Sequence, residues 1–468
     1  MTSRQEAFDE EKLKDTKITI IGAGTIANYL SLYMLGLGIG NIRILSESQN
    51  PEENFLIRGE SKNLEEKLRE INKKPVIDVI KGSHEDYTIG DPDILIDVTN
   101  NPNSKKISKE FSKKIKNVKL AISTASSYNN CSLYQQKIQP ANTNSKLSDI
   151  VFKPNKLNAP LLINDKMSKL YASEDYFLMN SYVNKKQGSF TSGLIAAIAL
   201  DEIRKAVAPM ENESLLKSKL EFSLCKNKRF NKGLDFTNEK GDNLSGLKVL
   251  VVGAGGIGTY TCLNLALMGA GQIDIYDGDI VDPHNLNRQV LYYDAVGKKK
   301  AEILEERLRK IAQKGTKINA YPIFLESTNK LGKYDLIMSC LDNWKYRFML
   351  SDYAKEKNTY FVNAAVTAFL AKVEYEVCLS CMPNAKSLRE SEEKKPSRAS
   401  CSALASSNVV MPNAIAGALM AAEAKVFAYP SLYKKLDHNV IRYNSKTIKD
   451  CERFLISGPY KCKCGGIK

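Results

Sequence analysis

The chain has 468 residues, too many for one ordinary domain, and reads as two or three. Its 43% hydrophobic and 26% charged residues are those of a globular chain able to bury real cores, and no apolar run approaches membrane-spanning length, which excludes a chain built on transmembrane helices. The formal charge of +15 invites a nucleic-acid reading, but lysines sit among acids, as in Glu302-Ile-Leu-Glu-Glu-Arg-Leu-Arg-Lys310, and no basic block is interleaved with aromatics, so neither nucleic acid nor membrane is expected as a partner.

The start, Met1-Thr-Ser-Arg-Gln-Glu6, is too polar for a signal peptide, and a cytoplasmic location is expected. Next, Lys17-Ile-Thr-Ile-Ile-Gly-Ala-Gly-Thr-Ile-Ala27 predicts a buried strand, a tight turn and the start of a helix. Further strands are predicted at Asn41-Ile-Arg-Ile-Leu45 and within Asp93-Ile-Leu-Ile-Asp-Val-Thr-Asn-Asn101, and an apolar helix at Gly188 to Leu200. Residues 131–187, rich in Asn, Ser, Lys and Tyr, read as an insertion that packs on or recruits a partner. Pro209-Met-Glu-Asn-Glu-Ser214 marks a boundary, and elements from about Lys217 to Leu247 are expected with the second half.

The second half repeats the first. Lys248-Val-Leu-Val-Val-Gly-Ala-Gly-Gly-Ile-Gly258 is again strand, turn and helix, Asp335 to Asn343 lies over Asp93 to Asn101 without a gap, and Met411 to Met420 echoes the apolar helix. Three matches in the same order indicate a duplicated domain. The expected fold class is α/β, with two tandem Rossmann-like, doubly wound domains, 1–212 and 213–468, forming a pseudo-dimer.

Only the second copy carries chemistry. Gly253, Gly255, Gly256 and Gly258 allow the tight turn that points helix N–H groups at a phosphate. The strand Gln272 to Tyr276 ends at Asp277, at the distance where a carboxylate meets ribose hydroxyls. Downstream come Asn285-Leu-Asn-Arg-Gln289, then Gly297-Lys-Lys-Lys300, then Asp342 after a later strand. Arg288 and Lys300 can offset phosphate charge, Asn285 can donate hydrogen bonds and Asp342 suits Mg²⁺. A nicotinamide oxidoreductase has no task for that set, whereas an ATP-splitting enzyme has. In the first copy Ser46 and Asn100 stand for Asp277 and Asp342, and that half should not turn over ATP.

These five motifs in order resemble the ubiquitin-activating enzyme superfamily, the ThiF-, MoeB- and HesA-like adenylyltransferases, over roughly residues 246 to 466. The resemblance implies a fused pair of an inactive and an active adenylation domain. It implies that the second adenylates, with ATP and Mg²⁺, the C-terminal carboxylate of a ubiquitin-like or sulfur-carrier protein ending in Gly-Gly. Gly253, Gly255, Gly256, Gly258, Asp277, Asn285, Arg288, Gln289, Lys300 and Asp342 would bind the nucleotide, with Asp277 on the ribose and Asp342 on the magnesium. Arg4, in Ser3-Arg4-Gln5, would reach in trans to the phosphates of the active half. Adenylation of a ribosomal peptide or tRNA by the same core, and a scaffold in which both copies only bind partners, are the other readings.

The ten cysteines fit reduced thiols or metal ligands better than a disulfide framework. Cys378-Leu-Ser-Cys381 with Cys462 and Cys464 can supply four thiolates for a structural Zn²⁺, as many family members do to tie down the tail. The single residue between Cys462 and Cys464 departs from the family's paired Cys-x-x-Cys. Cys401, near Arg398 and ahead of the helix starting near Asn413, would by resemblance take the acyl group as a thioester, with a conjugating enzyme downstream; otherwise the adenylate passes to a sulfurtransferase or other sulfur donor. His84, His284 and His438 form no constellation.

Overall fold

The computed structural model describes residues 9–46, 54–58, 62–81, 92–99, 118–137, 186–211, 213–216, 219–226, 229–230, 234–236, 239–393, 408–433, 439–446 and 454–457. The first sheet contains β1 (Lys17–Ile21), β2 (Asn41–Ser46), β3 (Val76–Lys81), β4 (Ile94–Asp97), β5 (Leu120–Ser126), β6 (Asn130–Lys137) and β7 (Lys219–Ser223), in the order 3-2-1-4-5-6-7. β1 to β5 pair in parallel; β6 and β7 add antiparallel pairs.

The second sheet contains β8 (Lys248–Val252), β9 (Gln272–Tyr276), β10 (Lys317–Tyr321), β11 (Leu336–Ser339), β12 (Tyr360–Thr367), β13 (Leu370–Tyr375), β14 (Val440–Asn444) and β15 (Phe454–Ser457), in the order 10-9-8-11-12-13-14-15. Its first five strands are again parallel and the rest antiparallel. The α/β class read from the sequence is what the chain adopts.

The central strands are apolar without alternation because both faces are covered. In β8 every residue from Val249 to Val252 is buried, as is every residue of β1 from Ile18 to Ile21. Each sheet carries a long helix of 19 residues, Ser189–Val207 in the first and Val410–Ala428 in the second, packed on the glycine-loop helix Thr25–Leu37 or Gly256–Leu267. On the second sheet, Leu250, Val252, Ile337, Phe348, Leu350 and Phe361 form a core under the helix Trp344–Glu356.

The duplication extends to single hydrogen bonds. Ile21 pairs with Leu45 and Val252 with Tyr276, so Ser46 holds the register position of Asp277. The Lys17 amide donates to Asp93 Oδ2 at 3.0 Å and the Lys248 amide to Asp335 Oδ2 at 2.8 Å. Two expectations change. Lys219–Ser223, read with the second half, joins the first sheet as β7, and residues 131–137, read as insertion, belong to β6, which matches β13 in position. Both are antiparallel outer strands whose placement depends on long-range pairing and carries no glycine or charge signature. Residues 138–185 of the expected insertion lie outside the described residues.

The chain divides into two compact units, one of Phe8–Ser223 with Phe230–Gly241, the other containing Leu224–Arg229 and Asp242–Lys468. Among the described residues no helix is long and apolar enough to cross a membrane.

Candidate active site

In the second sheet β8 is flanked by β9 on one side and β11 on the other. Chain order reverses there, which leaves a crevice beyond the strand ends. Gly253 makes the turn with φ +98°, and a Cβ there would lie 2.7 Å from the Cys340 carbonyl oxygen. Only glycine meets both demands. A Cβ on Gly258 would lie 1.8 Å from the Gly253 carbonyl, so this glycine lets the first helical turn close on the loop. Gly256 faces Asn413, and Gly255, the N-cap, opens toward Gln289 without a side-chain cap of its own. The uncapped N–H groups and the helix dipole favour an anion.

The loop is pinned from two sides. The Ala254 amide donates to Asp277 Oδ2 at 2.6 Å, and the Tyr292 hydroxyl donates to the Ala254 carbonyl at 2.7 Å. Asp277 Oδ1 accepts from the Asp279 amide at 2.8 Å. Burial raises the Asp277 pKa, with Lys300 opposing the shift and Asp279 adding to it. Lys300 opens the helix Lys300–Ile311, and its Nζ lies 2.9 Å from Asp279 Oδ2. The ammonium is nearly buried whereas Asp279 is half exposed, so an entering polyanion can compete with Asp279 for this cation.

Asn285 ends the 3₁₀ turn Pro283–Asn285, where its Oδ1 accepts from the Asp282 amide at 3.0 Å. Its Nδ2 carries two N–H groups that can donate to a ligand. Arg288 is buried, with Nη1 donating to the His284 carbonyl and to Asn287 Oδ1, both at 2.9 Å. Gln289 is also buried, and its Oε1 has no partner among the described residues. A buried amide end left unpaired beside the glycine loop fits a hydrogen-bonding ligand there. Asp342 is exposed, three residues beyond the end of β11, at the same end of the sheet as the loop. An exposed carboxylate beside a phosphate cradle is a donor set suited to Mg²⁺, which takes one or two carboxylates together with substrate phosphates.

The described residues therefore bring together the four glycines, Asp277 and Gln289 around one loop, and tie Lys300 to the Asp277 side of it through Asp279. Sequence reasoning gave no role to Asp279, Tyr292 or Asn413. Asp279 and Tyr292 stand near motif residues, but only the folded loop reveals their partners.

The first copy differs at this point. Gly22 turns with φ +106° as Gly253 does, but Gln187 reaches over the helix start. Its Oε1 accepts from the Ile26 amide at 2.9 Å and its Nε2 donates to the Val98 carbonyl at 3.0 Å. The chain's own amide occupies the place an anion would take.

Cys378 is buried and Cys381 partly exposed, at the ends of a single turn in which the Cys381 amide donates to the Cys378 carbonyl at 3.1 Å. Among the described residues no group of three or more His, Cys, Asp or Glu side chains could hold a metal ion. Arg4, Asn100, Arg398, Cys401, Cys462 and Cys464 lie outside the described residues.

The half that carries this cradle, residues 232–466, matches the model of the ThiF family. The chain belongs to that family. A sulfur carrier protein adenylyltransferase of Thermus thermophilus is 32% identical over 199 residues, 39% of this ThiF-family chain and 69% of the relative. The adenylyltransferase and sulfurtransferase UBA4 of Debaryomyces hansenii is 40% identical over 109 residues, 22% of this chain and 24% of that protein. The chain spans about a quarter of the length of such two-function relatives, 26% of the MOCS3-1 protein of Zea mays. Among solved structures, E. coli MccB with ATP aligns at 22% identity and TM-score 0.38 over 47% of this chain and 67% of that one.

Proposed function

We propose that the second of the two compact units adenylates the C-terminal carboxylate of a small ubiquitin-like or sulfur-carrier protein, and that the first, which takes in β7, is an inactive copy fused to it as a pseudo-dimer. The observation that carries the reading is the uncapped helix N-terminus behind Gly255, flanked by Asp277, Gln289 and Lys300, within the span that matches the family.

In this reading the carrier carboxylate attacks the α-phosphorus of ATP, the bond to the bridging oxygen breaks, and pyrophosphate leaves with the electron pair. The glycine-loop amides, Asn285 Nδ2 and Gln289 Nε2 donate to the phosphates and orient them, while Gln289 Oε1 can only accept from a ligand group that donates. Arg288 and Lys300 offset the charge that grows on the leaving oxygens. Asp277 accepts from the ribose, and its hydrogen bond to Ala254 couples ribose placement to the phosphate loop. Magnesium held by Asp342 would neutralise phosphate oxygens. Arg4 is assigned a further cationic contact, Cys378, Cys381, Cys462 and Cys464 a structural zinc, and Cys401 the acyl acceptor of a later thioester step.

The test is carrier-dependent exchange of labelled pyrophosphate into ATP. The wild-type chain is expected to catalyse it, and Asp342→Ala to lower it by about 10²-fold or more. Exchange without any carrier requirement, or intact exchange in Asp342→Ala, would sink the reading. Bound zinc and a thiol-labile carrier adduct at Cys401, assayed on the same samples, decide the two cysteine assignments.

A further inference from the structure

Between β11 and the helix Trp344–Glu356 the chain makes one tight passage, Cys340-Leu341-Asp342-Asn343, and both of its ends are held. Its entry is held by backbone: the Cys340 amide donates to the Val252 carbonyl at 2.9 Å, beside Gly253. At its exit, Asn343 caps the helix, its side chain accepting from the Lys345 amide at 2.8 Å and the Tyr346 amide at 3.4 Å. The middle is held by a buried arginine. Arg347 turns back along its own helix, with Nε donating to the Leu341 carbonyl at 2.7 Å and Nη2 donating to the same oxygen.

Arg347 is 5% exposed, and its guanidinium carbon lies 5.1 Å from the centroid of the Trp344 ring. Burial lowers its pKa, against the pull of Glu374, Asp342 and Glu392. Glu374 on β13 already accepts from Asn363 Nδ2 at 2.9 Å and pairs with Lys372 at 2.5 Å. Neutralising Glu374 alone would therefore not require a second cation. Two donors of one planar guanidinium converging on the same carbonyl oxygen fix direction as well as position, which a lysine ammonium cannot do.

We propose that Arg347 is a positioning residue that locks the Leu341 carbonyl and thereby aims the exposed Asp342 carboxylate at the nucleotide's metal. The inference rests on the magnesium role proposed for Asp342. Groups that orient a metal ligand govern metal affinity without touching the metal.

Arg347→Lys keeps the charge and removes the fork. Wild type and variant are titrated with ATP in EDTA by calorimetry, then with Mn²⁺ at saturating ATP by the electron paramagnetic resonance of the unbound ion. Metal-free ATP binding is expected to be unchanged, and Mn²⁺ affinity to fall about tenfold. In an Asp342→Ala background the same substitution is expected to cause no further loss. An unaltered Mn²⁺ affinity, an equal loss of metal-free ATP binding, or a loss that persists without Asp342 overturns the proposal. If Arg347→Lys is too unstable to titrate, Arg347→Gln, a planar donor without charge, is held to the same criteria. Absence of metal-free ATP binding by the wild type overturns both this proposal and the reading beneath it, whereas intact ATP binding with unchanged metal affinity in the variant overturns this one alone.

Discussion

The two glycine loops start from the same backbone and end as opposite surfaces. Gly22 and Gly253 both turn with positive φ, and their amides donate to Leu45 at 2.7 Å and Tyr276 at 2.8 Å respectively. Beyond that the copies part. The second helix start is uncapped and beside a carboxylate, whereas the first is closed by Gln187 and has the buried Ser46 at the carboxylate's register position. A glycine turn is therefore a scaffold for an anion site and not the site itself. What decides is whether the N–H groups it exposes are already satisfied.

Three changes would break or sharpen this contrast. The largest effect is expected from Gly258→Ala. Ala27 is accommodated at that place in the first copy, but here a Cβ would lie 1.8 Å from the Gly253 carbonyl. The loop must shift, at a cost of about 1–3 kcal/mol in denaturant unfolding, and ATP titration is expected to show weakened binding. Normal stability and normal ATP affinity would mean that the cradle geometry does not matter.

Gln187→Ala is expected to cost about 1 kcal/mol, as for loss of a helix cap, while pyrophosphate exchange stays at the wild-type rate. A drop in exchange without a drop in stability would assign the first copy a direct part in turnover.

The smallest effect concerns pH. Burial holds the Asp277 pKa above its unfolded value, so the folded state keeps a proton that the unfolded chain releases. This group therefore contributes stability at low pH that is lost as pH rises from the ordinary carboxylate range through the raised value. Asp277→Asn is expected to flatten that part of the melting-temperature profile. An identical slope in the variant would place the titration on another group.

Much of this contrast is legible in the amino-acid sequence. β1, β4, β8 and β11 are short apolar runs ending in glycine or polar residues, so their burial and parallel pairing followed from pattern, and the ungapped overlay of Asp93 onto Asp335 matches the register. The loss of a carboxylate at Ser46 could be read for the same reason. Gln187 could not. It lies 161 positions from Ile26 and belongs to no motif, and an amide side chain has no sequence signal that tells a plug from a surface residue. Arg347 was similarly silent, because a helical arginine reads as solvated until burial shows otherwise.

By itself, then, the sequence determined the duplicated α/β plan and the half that retains the charged set, because strand periodicity and glycine turns are local properties of the backbone. Only the tertiary structure decided which helix start stays uncapped, which carboxylate pairs with Lys300 and which arginine grips the turn before Asp342. Those outcomes depend on hydrogen bonds and burial between segments distant along the chain, or on a side chain folding back on its own turn, and no local pattern encodes them.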